Sequence, residues 1–530
     1  RLRSFYEKII EKCLSGLDTQ RLTRELPELV VQTAWREWKL PIPEESPDRE
    51  DRLGILRGSR LRSDECWGIR DKHSFFPSGI YKTPFLNLLY AHPLIGLKFI
   101  TEFINYAVDF YTSADCDYKH EITQIELELN DGTIIKQWAA WELWAAYRGS
   151  SVTHYAIESL LMSLEKYILK TAERKTDVSR KNLQLMFNYL LRNSNNVAIT
   201  SVLASVSIAF PEEVGKEMLP ILGVREFYSW DLSRSVQEHS VLAPMDNNIP
   251  FAQKERSDSN KLPHRRKYMR GLSDFILNYQ FNIGTLNRQI HQVFDKLKAQ
   301  IPKDDFIWKK VLTEIDIRNH RAGEYDEKLG GFPIQPEYDT EVTEFMSTNE
   351  ESFKAESESL NFSELLKKAY EGVEPITFTN WKQCFDQYSS QDQINPLYDR
   401  PVTLAVIGLR DFPKDLKKKH KSWCIRTITE AIVTILQDEF SRNYDLNRSI
   451  NLMEKEIALS SYHFMFDHIS DKSEKTNLIS IMNYMLIAPF VEHEVDKMIE
   501  YIRNVFFKRH PHIGKRIWVG LIKYAQFRKS

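Results

Sequence analysis

The stretch that decides the fold is residues 139–222. It reads AAWELWAAYRGSSVTHYAIESLLMSLEKYILKTAERKTDVSRKNLQLMFNYLLRNSNNVAITSVLASVSIAFPEEVGKEMLPIL. Apolar residues recur at helical spacing and short polar turns separate the apolar runs, which predicts four or more amphipathic helices in succession. Almost nothing in the stretch is typical of a catalytic site. It therefore indicates an α-helical scaffold, for which binding is a better expectation than chemistry, and it does not identify the ligand.

The first helix boundary and the first buried face can be placed residue by residue. Residues 148–151 end one helix and begin the next, because a serine such as Ser150 or Ser151 at the N-cap accepts hydrogen bonds from free N–H groups. In the next helix, apolar side chains recur every fourth residue and form one buried stripe. The stripe consists of Val152, Ala156, Leu160, Leu164 and Ile168, with Leu161 and Tyr167 beside it.

Two further helices follow. We expect the first of them to begin at Ser179 and to end at residues 193–196, since asparagine suits helix ends. Its inner face consists of Leu183, Met186, Phe187, Leu190 and Leu191. Residues 197–210 are nearly free of polar groups on one side, and Pro211 suits the first turn of another helix. The repeat has no strict period, so the predicted fold is mainly α, an α-helical solenoid of degenerate HEAT-like repeats with a small β-hairpin insertion.

The β-hairpin is predicted near residues 121–138. Ile122, Ile125, Leu127 and Leu129 precede the turn sequence Asn-Asp-Gly-Thr at residues 130–133, and further β-branched residues follow it. Asp-Gly between such runs is a strong turn signal. An insertion of this kind in a helical frame is a place where partner contacts often lie.

Composition limits the class of protein. The chain has 530 residues, enough for roughly three or four domains of about 150 residues each. Lys plus Arg is 72 and Asp plus Glu is 74, giving a net charge of -2, which lowers the expectation of a dedicated nucleic-acid binder. The low glycine count of 19 disfavours loop-rich α/β nucleotide folds and favours helices.

Cysteine usage and hydropathy favour a cytoplasmic protein that is not in a membrane. The five cysteines lie far apart, so neither a zinc knuckle nor a disulfide framework is expected, and a reducing cytosol is the natural setting. They are Cys13, Cys66, Cys116, Cys384 and Cys424. The longest apolar run, residues 478–491, is too short to span a bilayer and predicts a buried helix. Because Arg1 lies directly in a helical pattern, we expect the chain to be a piece of a longer protein.

Composition shifts suggest five segments. They are an N-terminal helical segment (1–83), a helical repeat core with the hairpin (84–243), a helical segment (264–321), an acidic linker region (322–380) and a C-terminal helical segment (381–530). In the acidic region, residues 337–364 carry nine acids against the single base Lys354, which indicates an exposed linker or face. Residues 401–408, Pro-Val-Thr-Leu-Ala-Val-Ile-Gly, are interpreted as one strand.

No catalytic motif is present in the sequence. There is no Walker A motif, since Gly514-Lys515 lacks both the upstream glycine and the following Ser or Thr, and no GxGxxG, GxSxG or HExxH occurs. No catalytic, cofactor-binding or metal-ligating residue is therefore assigned. The densest His and acid region combines His510 and His512 with His463, His468 and the triplet at residues 492–494, for which surface or capping roles are preferred over a metal site.

Basic and aromatic clusters have mixed interpretations. Residues 417–421, the C-terminal bases and residues 264–267 could contact phosphate, but solvated helix ends are the preferred interpretation. The aromatic cluster has a spacing of three, which predicts one buried helical stripe rather than an exposed recognition patch. It consists of Trp138, Trp141, Trp144 and Tyr147.

Four segments also resemble a known family. They are WELWAAYRGSS at residues 141–151, ESLLMSLEK at 158–166, NNVA at 195–198 and FPEE at 210–213. They are similar to the long helical region of large bacterial STAND NTPases of the AVAST antiphage type, over roughly residues 84–280. The resemblance implies a parent protein with an effector, often a nuclease, a P-loop ATPase that uses ATP and Mg, and a helical sensor that binds a phage protein. It carries over no catalytic residue, because this chain lacks the P-loop.

The sequence thus predicts a recognition or scaffold segment of a bacterial antiviral-defence ATPase. It would bind a phage or other protein ligand, self-associate and relay activation by oligomerisation, with nucleic acid a less favoured partner. Two alternatives remain open: a fragment of a metal-dependent hydrolase or nuclease, whose site would need His463, His468, His493 or His510 to converge with a carboxylate, and a structural helical spacer.

Overall fold

The computed structural model describes residues 2–40, 65–70, 75, 78–114, 116, 120–149, 152–240, 255, 258–259, 261–268, 270–325, 332–370, 372–390, 399–441, 450, 452–469, 471–488, 503 and 507–529. The chain folds as two units. The first comprises residues 1–238 and 243–348, and the second comprises residues 239–242 and 349–530.

The first unit is mainly helical. Its elements are α1 (Leu2–Cys13), α2 (Gln20–Glu25), α3 (Pro27–Trp38), α4 (Phe85–Ala91), α5 (Pro93–Ser113), β1 (Thr123–Glu128), β2 (Ile134–Ala139), α6 (Trp141–Ala145), α7 (Tyr155–Ala172), α8 (Asp177–Asn193), α9 (Val197–Ala209), α10 (Pro211–Val214), α11 (Leu219–Leu222), α12 (Arg225–Ser240), α13 (Pro263–Lys267), α14 (Leu272–Asn282), α15 (Asn287–Gln300), α16 (Phe306–Ile315), β3 (His320–Ala322), β4 (Ile334–Pro336) and α17 (Thr340–Thr348). Short 3₁₀ turns lie at Ala146–Arg148, Gly215–Met218 and Ile317–Asn319.

The second unit contains only helices among its described residues. They are α18 (Glu350–Tyr370), α19 (Phe378–Tyr388), α20 (Pro401–Asp411), α21 (Lys418–Ser441), α22 (Leu452–Ser461), α23 (His463–His468), α24 (Lys472–Ile487), α25 (Phe507–Arg509) and α26 (Pro511–Lys529). The prediction of a mainly α chain with a small β-hairpin insertion is confirmed. The second hairpin, β3 with β4, was not predicted; it is three residues long on each side.

Helix α9 is the centre of the first unit. It is buried from Val197 to Ile208, and it packs against α6, α7, α8 and β2. It has no charged residue, and each of its four hydroxyls donates a hydrogen bond. Ser201 donates to the carbonyl of Ala198 at 2.8 Å and Ser207 to that of Leu203 at 2.9 Å, whereas Thr200 donates to Gln137 and Ser205 to Glu165. Burial of these polar groups therefore leaves no hydrogen bond unmade.

The predicted faces of α7 and α8 are confirmed, except that Val152 precedes α7 and is half-buried. The α7 stripe from Ala156 to Ile168 is buried, and so are the five apolar residues of the inner face of α8. Two starting points differ from the prediction. Helix α8 begins at Asp177, with Thr176 and Ser179 forming a capping box, and the N-cap of α7 is His154, whose ring accepts from the Ala156 N–H. Ser150 and Ser151, the predicted caps, lie outside the described residues.

Aromatic side chains join the N-terminal helices to α5. Trp38 is buried against Phe85 and Phe99, and the rings of Phe85 and Phe99 stack with their centroids 4.0 Å apart. Cys66 and Cys116 form a disulfide beside this layer, although no disulfide framework was expected from the sequence. Their separation of 50 residues gave no pairing signal in the sequence. Cys13, Cys384 and Cys424 are free.

Helix α20 is the centre of the second unit, and it corrects the strand interpreted at residues 401–408. Every residue from Pro401 to Leu409 is buried, against α18, α19, α21, α22 and α23. A continuous apolar run does not distinguish a buried strand from a buried helix by its period. Pro401 occupies the first helical turn, and the Glu454 carboxylate accepts from the free N–H groups of Val402 at 2.6 Å and Thr403 at 3.1 Å.

The acidic residues 337–364 contribute to two helices, α17 and α18, and the boundary between the two units, at residues 348 and 349, lies within them. The apolar residues predicted as a buried helix at 478–491 lie in α24 as far as Ile487. No single helix in the described ranges is long and apolar enough to cross a membrane; α9 together with residues 211–222 reaches that length and composition, with a bend of 114° between the two parts.

Gly408 offers a test of the packing around α20. A Cβ at this position would lie 2.7 Å from a ring carbon of the buried Trp381. We expect Gly408→Ala to destabilise the protein by about 1–3 kcal/mol through overpacking, although alanine is the better helix former. The measurement is urea denaturation followed by tryptophan fluorescence.

The matched control is Gly520→Ala in α26, where a Cβ would meet no atom within 4 Å. There the helix propensity of alanine acts alone, and we expect equal or slightly higher stability. A Gly408→Ala variant as stable as Gly520→Ala would show that α20 and Trp381 are not packed as described.

Candidate recognition groove

One face of the hairpin packs on the core of the first unit, and its other face is exposed. The register pairs Glu126 with Lys136 and Glu128 with Ile134, and these four residues are exposed. On the opposite face, Leu127 is buried. This alternation is that of an antiparallel pair with one face packed on a core.

The turn of the hairpin is held by its own side chains. Gly132 has a φ of 81°, a conformation that favours glycine, and the Thr133 N–H donates to the Asp131 carboxylate at 3.0 Å. Arg192, at the end of α8, forms an ion pair with the same carboxylate. The Thr133 N–H and then Arg192 lower the pKa of Asp131 to about 2. The turn is therefore charged and fixed at neutral pH.

Strand β2 is anchored on the turn between α8 and α9. The Trp138 N–H donates to the carbonyl of Asn195 at 2.6 Å, and the Trp138 indole N–H donates to Asp109 of α5 at 3.0 Å. Gln137 is buried; it donates to the carbonyl of Ser194 at 3.2 Å and accepts from the Thr200 hydroxyl at 2.8 Å. The hairpin is thus fixed to the helical scaffold along its length.

The same turn is tied to α5 by a second set of bonds. The Asn105 side chain donates to the carbonyl of Asn193 at 2.7 Å and accepts from the Asn195 backbone at 3.1 Å and the Asn196 side chain at 2.9 Å. Asn195 also donates to Asp109 at 2.8 Å. The residues predicted only to end a helix therefore join α5, the hairpin, α8 and α9.

A groove of about 550 Å³ lies between β1, α11 and α15. We call it the hairpin groove. Its lining residues are Glu126, Glu128, Leu129, Asn130, Ile134, Lys216, Leu219, Pro220, Gly223, Gln289, Gln292, Val293, Lys296, Leu297 and Gln300. One wall is the exposed face of β1 with the turn, and the other is one face of α15, whose contributing residues recur at helical spacing.

Polar groups in the hairpin groove are mostly amides and paired charges. The Lys296 ammonium contacts both oxygens of the Glu128 carboxylate, at 2.7 and 2.8 Å, and so crosses the groove from α15 to β1. Asn130 donates to the carbonyl of Lys216 at 3.0 Å and fixes the hairpin end. Three glutamines on α15 supply donors and acceptors, and Ile134, 59% exposed, supplies apolar surface.

The predicted His and acid region is only partly brought together. His510 pairs with Asp467 at 3.2 Å, and His463 lies near both, packed on Phe464. Burial, then Arg509, lowers the pKa of His463 to about 4. His468 instead contacts the carbonyl of Leu409 at 3.1 Å.

A metal site is not evident in that region. Among the residues with described positions, no three His, Cys, Asp or Glu side chains are placed to hold a metal ion. The Glu492-His493-Glu494 triplet lies outside them.

The basic clusters differ from one another in the structure. Arg265, considered for phosphate contact, is buried and forms an ion pair with Glu165 of α7, which excludes that role. His420 is also buried, edge-on to Phe385, while Lys417, Lys418 and Lys419 are exposed and Lys421 is half-buried. Lys515, Arg516 and Lys523 of α26 are exposed, as expected for a helix face in solvent.

The aromatic cluster is not one helical stripe, because Trp138 lies in β2 and only Trp141 and Trp144 lie in α6. Core packing is confirmed for Trp144 and Tyr147, which are buried. Trp144 stacks on Phe227 with centroids 4.3 Å apart, and its indole N–H donates to Asp231 at 3.0 Å.

Two buried carboxylates on α7, Glu158 and Glu165, were not predicted from the sequence. Glu158 accepts from the Ser78 hydroxyl at 2.7 Å and from the Val152 N–H at 3.0 Å. Glu165 accepts from the Ser205 hydroxyl at 2.6 Å and pairs with Arg265. The available signal was their spacing of seven residues, which places both carboxylates on one side of α7, beside the predicted stripe.

The sequence matches no protein-family model and no curated protein.

The Glu165–Arg265 pair generates a test of the buried charges. Burial raises the pKa of Glu165, but Arg265, Arg148 and the hydrogen bonds outweigh it and hold that pKa below its usual range. Glu165→Gln leaves the Arg265 charge buried without its counter-ion, so we expect a loss of about 3–5 kcal/mol in the free energy of unfolding at pH 7. Urea denaturation measures it.

The same variant should alter the pH dependence. Because the pKa of Glu165 is lower in the folded state, its contribution is present above the unfolded pKa of about 4.3 and is lost as the pH falls through the folded pKa. As the pH falls below about 5, the free energy of unfolding should therefore decrease less for Glu165→Gln than for the parent chain. The control is Glu173→Gln, which removes an exposed pair with Lys170 and should change stability by under about 1 kcal/mol. Equal effects of the two variants would contradict the assignment.

Proposed function

We propose that this chain is the recognition segment of a larger bacterial antiviral-defence ATPase, and that it binds a protein ligand in the hairpin groove. The observation that carries the proposal is the groove itself, in which an exposed strand faces an exposed helix side. Recognition of a phage protein, self-association and relay of activation by oligomerisation in the cytoplasm come from the resemblance of roughly residues 84–280 to AVAST-type STAND NTPases. ATP and Mg belong to the parent protein in this proposal.

Rigidity of the hairpin supports a binding role. The hairpin is fixed through Trp138 and Gln137 along β2 and through Asn130 and Asp131 at the turn. A surface that is ordered before binding loses less conformational entropy when the ligand arrives. Loops that carry contacts on a rigid scaffold are a common arrangement of binding proteins.

The chemistry of the groove suits a polypeptide. Gln289, Gln292 and Gln300 can each donate and accept, as peptide groups do. The charges Glu128 and Lys296 neutralise each other, so the groove does not present one sign of charge to a small ion. Apolar contacts from Ile134 and Val293 alternate with these polar groups, as in the mixed surfaces that bind proteins.

The hydrolase alternative has less support. Its strongest candidates, His463, Asp467 and His510, lie near one another, but Arg509 shares the Asp467 carboxylate at 3.2 Å. The spacer alternative predicts that no surface of the chain has a specific ligand, and the experiment below separates it from recognition.

Photo-crosslinking tests the proposed function. A benzophenone amino acid replaces Gln292 in the groove, and the chain is irradiated in lysates of phage-infected and uninfected bacteria. We expect one phage protein to be linked from Gln292. Val293→Asp in the same chain should weaken that linkage at least tenfold, because it places a charge in the partly apolar wall.

The matched control is the same amino acid at Leu94, which is 81% exposed. On α5, Leu94 lies fifteen residues, or about 22 Å, from Asp109, the residue that bonds to Trp138 of the hairpin. Linkage of the same protein from both positions, or from neither, would refute recognition at the groove. In the latter case the His-rich region would be assayed for metal-dependent hydrolysis.

A further inference from the structure

The hydrogen bonds of the hairpin define which backbone groups face outward. The Leu129 N–H donates to the carbonyl of Thr133 at 2.8 Å, so Leu129 faces β2. Backbone direction alternates along a strand, and in this register Leu127 and Ile125 also face β2. The N–H and C=O groups of the intervening residues, Gln124, Glu126 and Glu128, therefore face away from it.

The two outer edges of the hairpin differ. On β2, the outward N–H of Trp138 is bonded to Asn195 of the helical scaffold. On β1, the outward backbone groups of Gln124, Glu126 and Glu128 have no hydrogen-bond partner within the described ranges. Glu126 and Glu128 line the hairpin groove. An unpaired strand edge is a template for pairing with another chain.

We propose that the outer edge of β1 receives an extended segment of the protein ligand, which adds antiparallel as a third strand and carries basic side chains at alternate positions. This inference rests on the proposed function. Strand addition of this kind takes its affinity from main-chain hydrogen bonds and its specificity from alternate side chains. The six residues of β1 can pair with a segment of similar length, about 20 Å.

Charge complementarity supports basic residues in that segment. Glu126 and Glu128 are two residues apart, so both carboxylates lie on the exposed face of β1. Residues directly opposite in a hydrogen-bonded antiparallel pair have Cα atoms about 5.5 Å apart, close enough for opposite charges to attract and like charges to repel. Lys or Arg at every second position of the ligand would therefore meet both carboxylates.

The present partners of these carboxylates can be replaced. Lys136 lies 3.6 Å from Glu126, and both side chains are more than 60% exposed, at 65% and 61%. Lys296 holds Glu128 from across the groove and is also exposed. Exposed ion pairs contribute little free energy, so a ligand base can take the place of either lysine without a large loss.

The far wall carries further hydrogen-bonding groups. Gln289, Gln292 and Gln300 of α15 line the groove. Their amides can donate to and accept from polar groups of a bound peptide.

Peptide probes test the inference. The probe is a fluorescein-labelled (Lys-Thr)₄ peptide, and its control is (Glu-Thr)₄; binding to the full chain is measured by fluorescence anisotropy. In the proposed pairing, the amides of the lysines face β1 and those of the threonines face away from it. We expect N-methylation of the lysine amides to weaken binding tenfold or more, and N-methylation of the threonine amides to weaken it less.

Two variants of one residue separate the backbone from the side chain. Glu126→Gln removes the charge and keeps the N–H, whereas Glu126→Pro removes both and breaks no bond between β1 and β2, because this N–H faces outward. We expect Glu126→Pro to bind the probe at least tenfold more weakly than Glu126→Gln. Circular dichroism reports whether the proline variant is folded, and the methylated peptides test the same pairing without any variant.

The outcomes are distinguishable from those of the proposed function. Absence of (Lys-Thr)₄ binding, equal binding of the two methylated peptides, or tighter binding of (Glu-Thr)₄ overturns strand addition. If Gln292 still crosslinks a phage protein, recognition at the groove stands without it. If crosslinking from Gln292 fails as well, the proposed function fails independently of the peptide result.

Discussion

The hairpin groove depends on the last residue of α8 and the three-residue turn that leads to α9. Residues 193–196 hydrogen bond to Asn105 and Asp109 of α5 on one side and to Gln137 and Trp138 of β2 on the other. Without these bonds a two-stranded hairpin would be marginally stable in water. With them, β2 behaves as part of the helical scaffold, and β1 is the strand left with an unpaired edge.

Local patterns predicted the helices with amphipathic faces and the hairpin. The inner face of α8 followed from Leu183 to Leu191 at helical spacing, because only one side of that helix is buried. The hairpin followed from Asp131-Gly132, since few other pairs allow so tight a turn. In both cases the deciding interactions are between residues close in sequence, and so the sequence contains them.

Helix α20 could not be predicted in the same way. It is buried from Pro401 to Leu409, and a pattern with no polar face has no period that identifies its secondary structure. The Glu454 carboxylate, about fifty residues away in the chain, accepts from the free N–H groups at the N-terminus of α20. Glu165, the buried partner of Arg265, is likewise 100 residues away in the sequence. Composition alone predicted Arg265 to be an exposed base.

The groove could not be predicted from the sequence either, because its walls are far apart in the chain. The sequence indicated the hairpin as a place for partner contacts, but it gave no sign of α15 as the opposite wall. The two are brought together by tertiary packing, in which α11 contacts both β1 and α15. The pairing of Glu128 with Lys296 spans 168 residues of chain and has no local signature.

The two walls of the groove are supported by different helices of the first unit. Asp131 and Trp138 attach the hairpin wall to α8 and to the turn before α9, whereas the other wall is α15, which packs on α11 and α16. The width of the groove therefore depends on the distance between these two sets of helices. A ligand that widens or narrows the groove must displace these helices relative to each other. The free energy of that displacement determines how strongly the groove prefers one width.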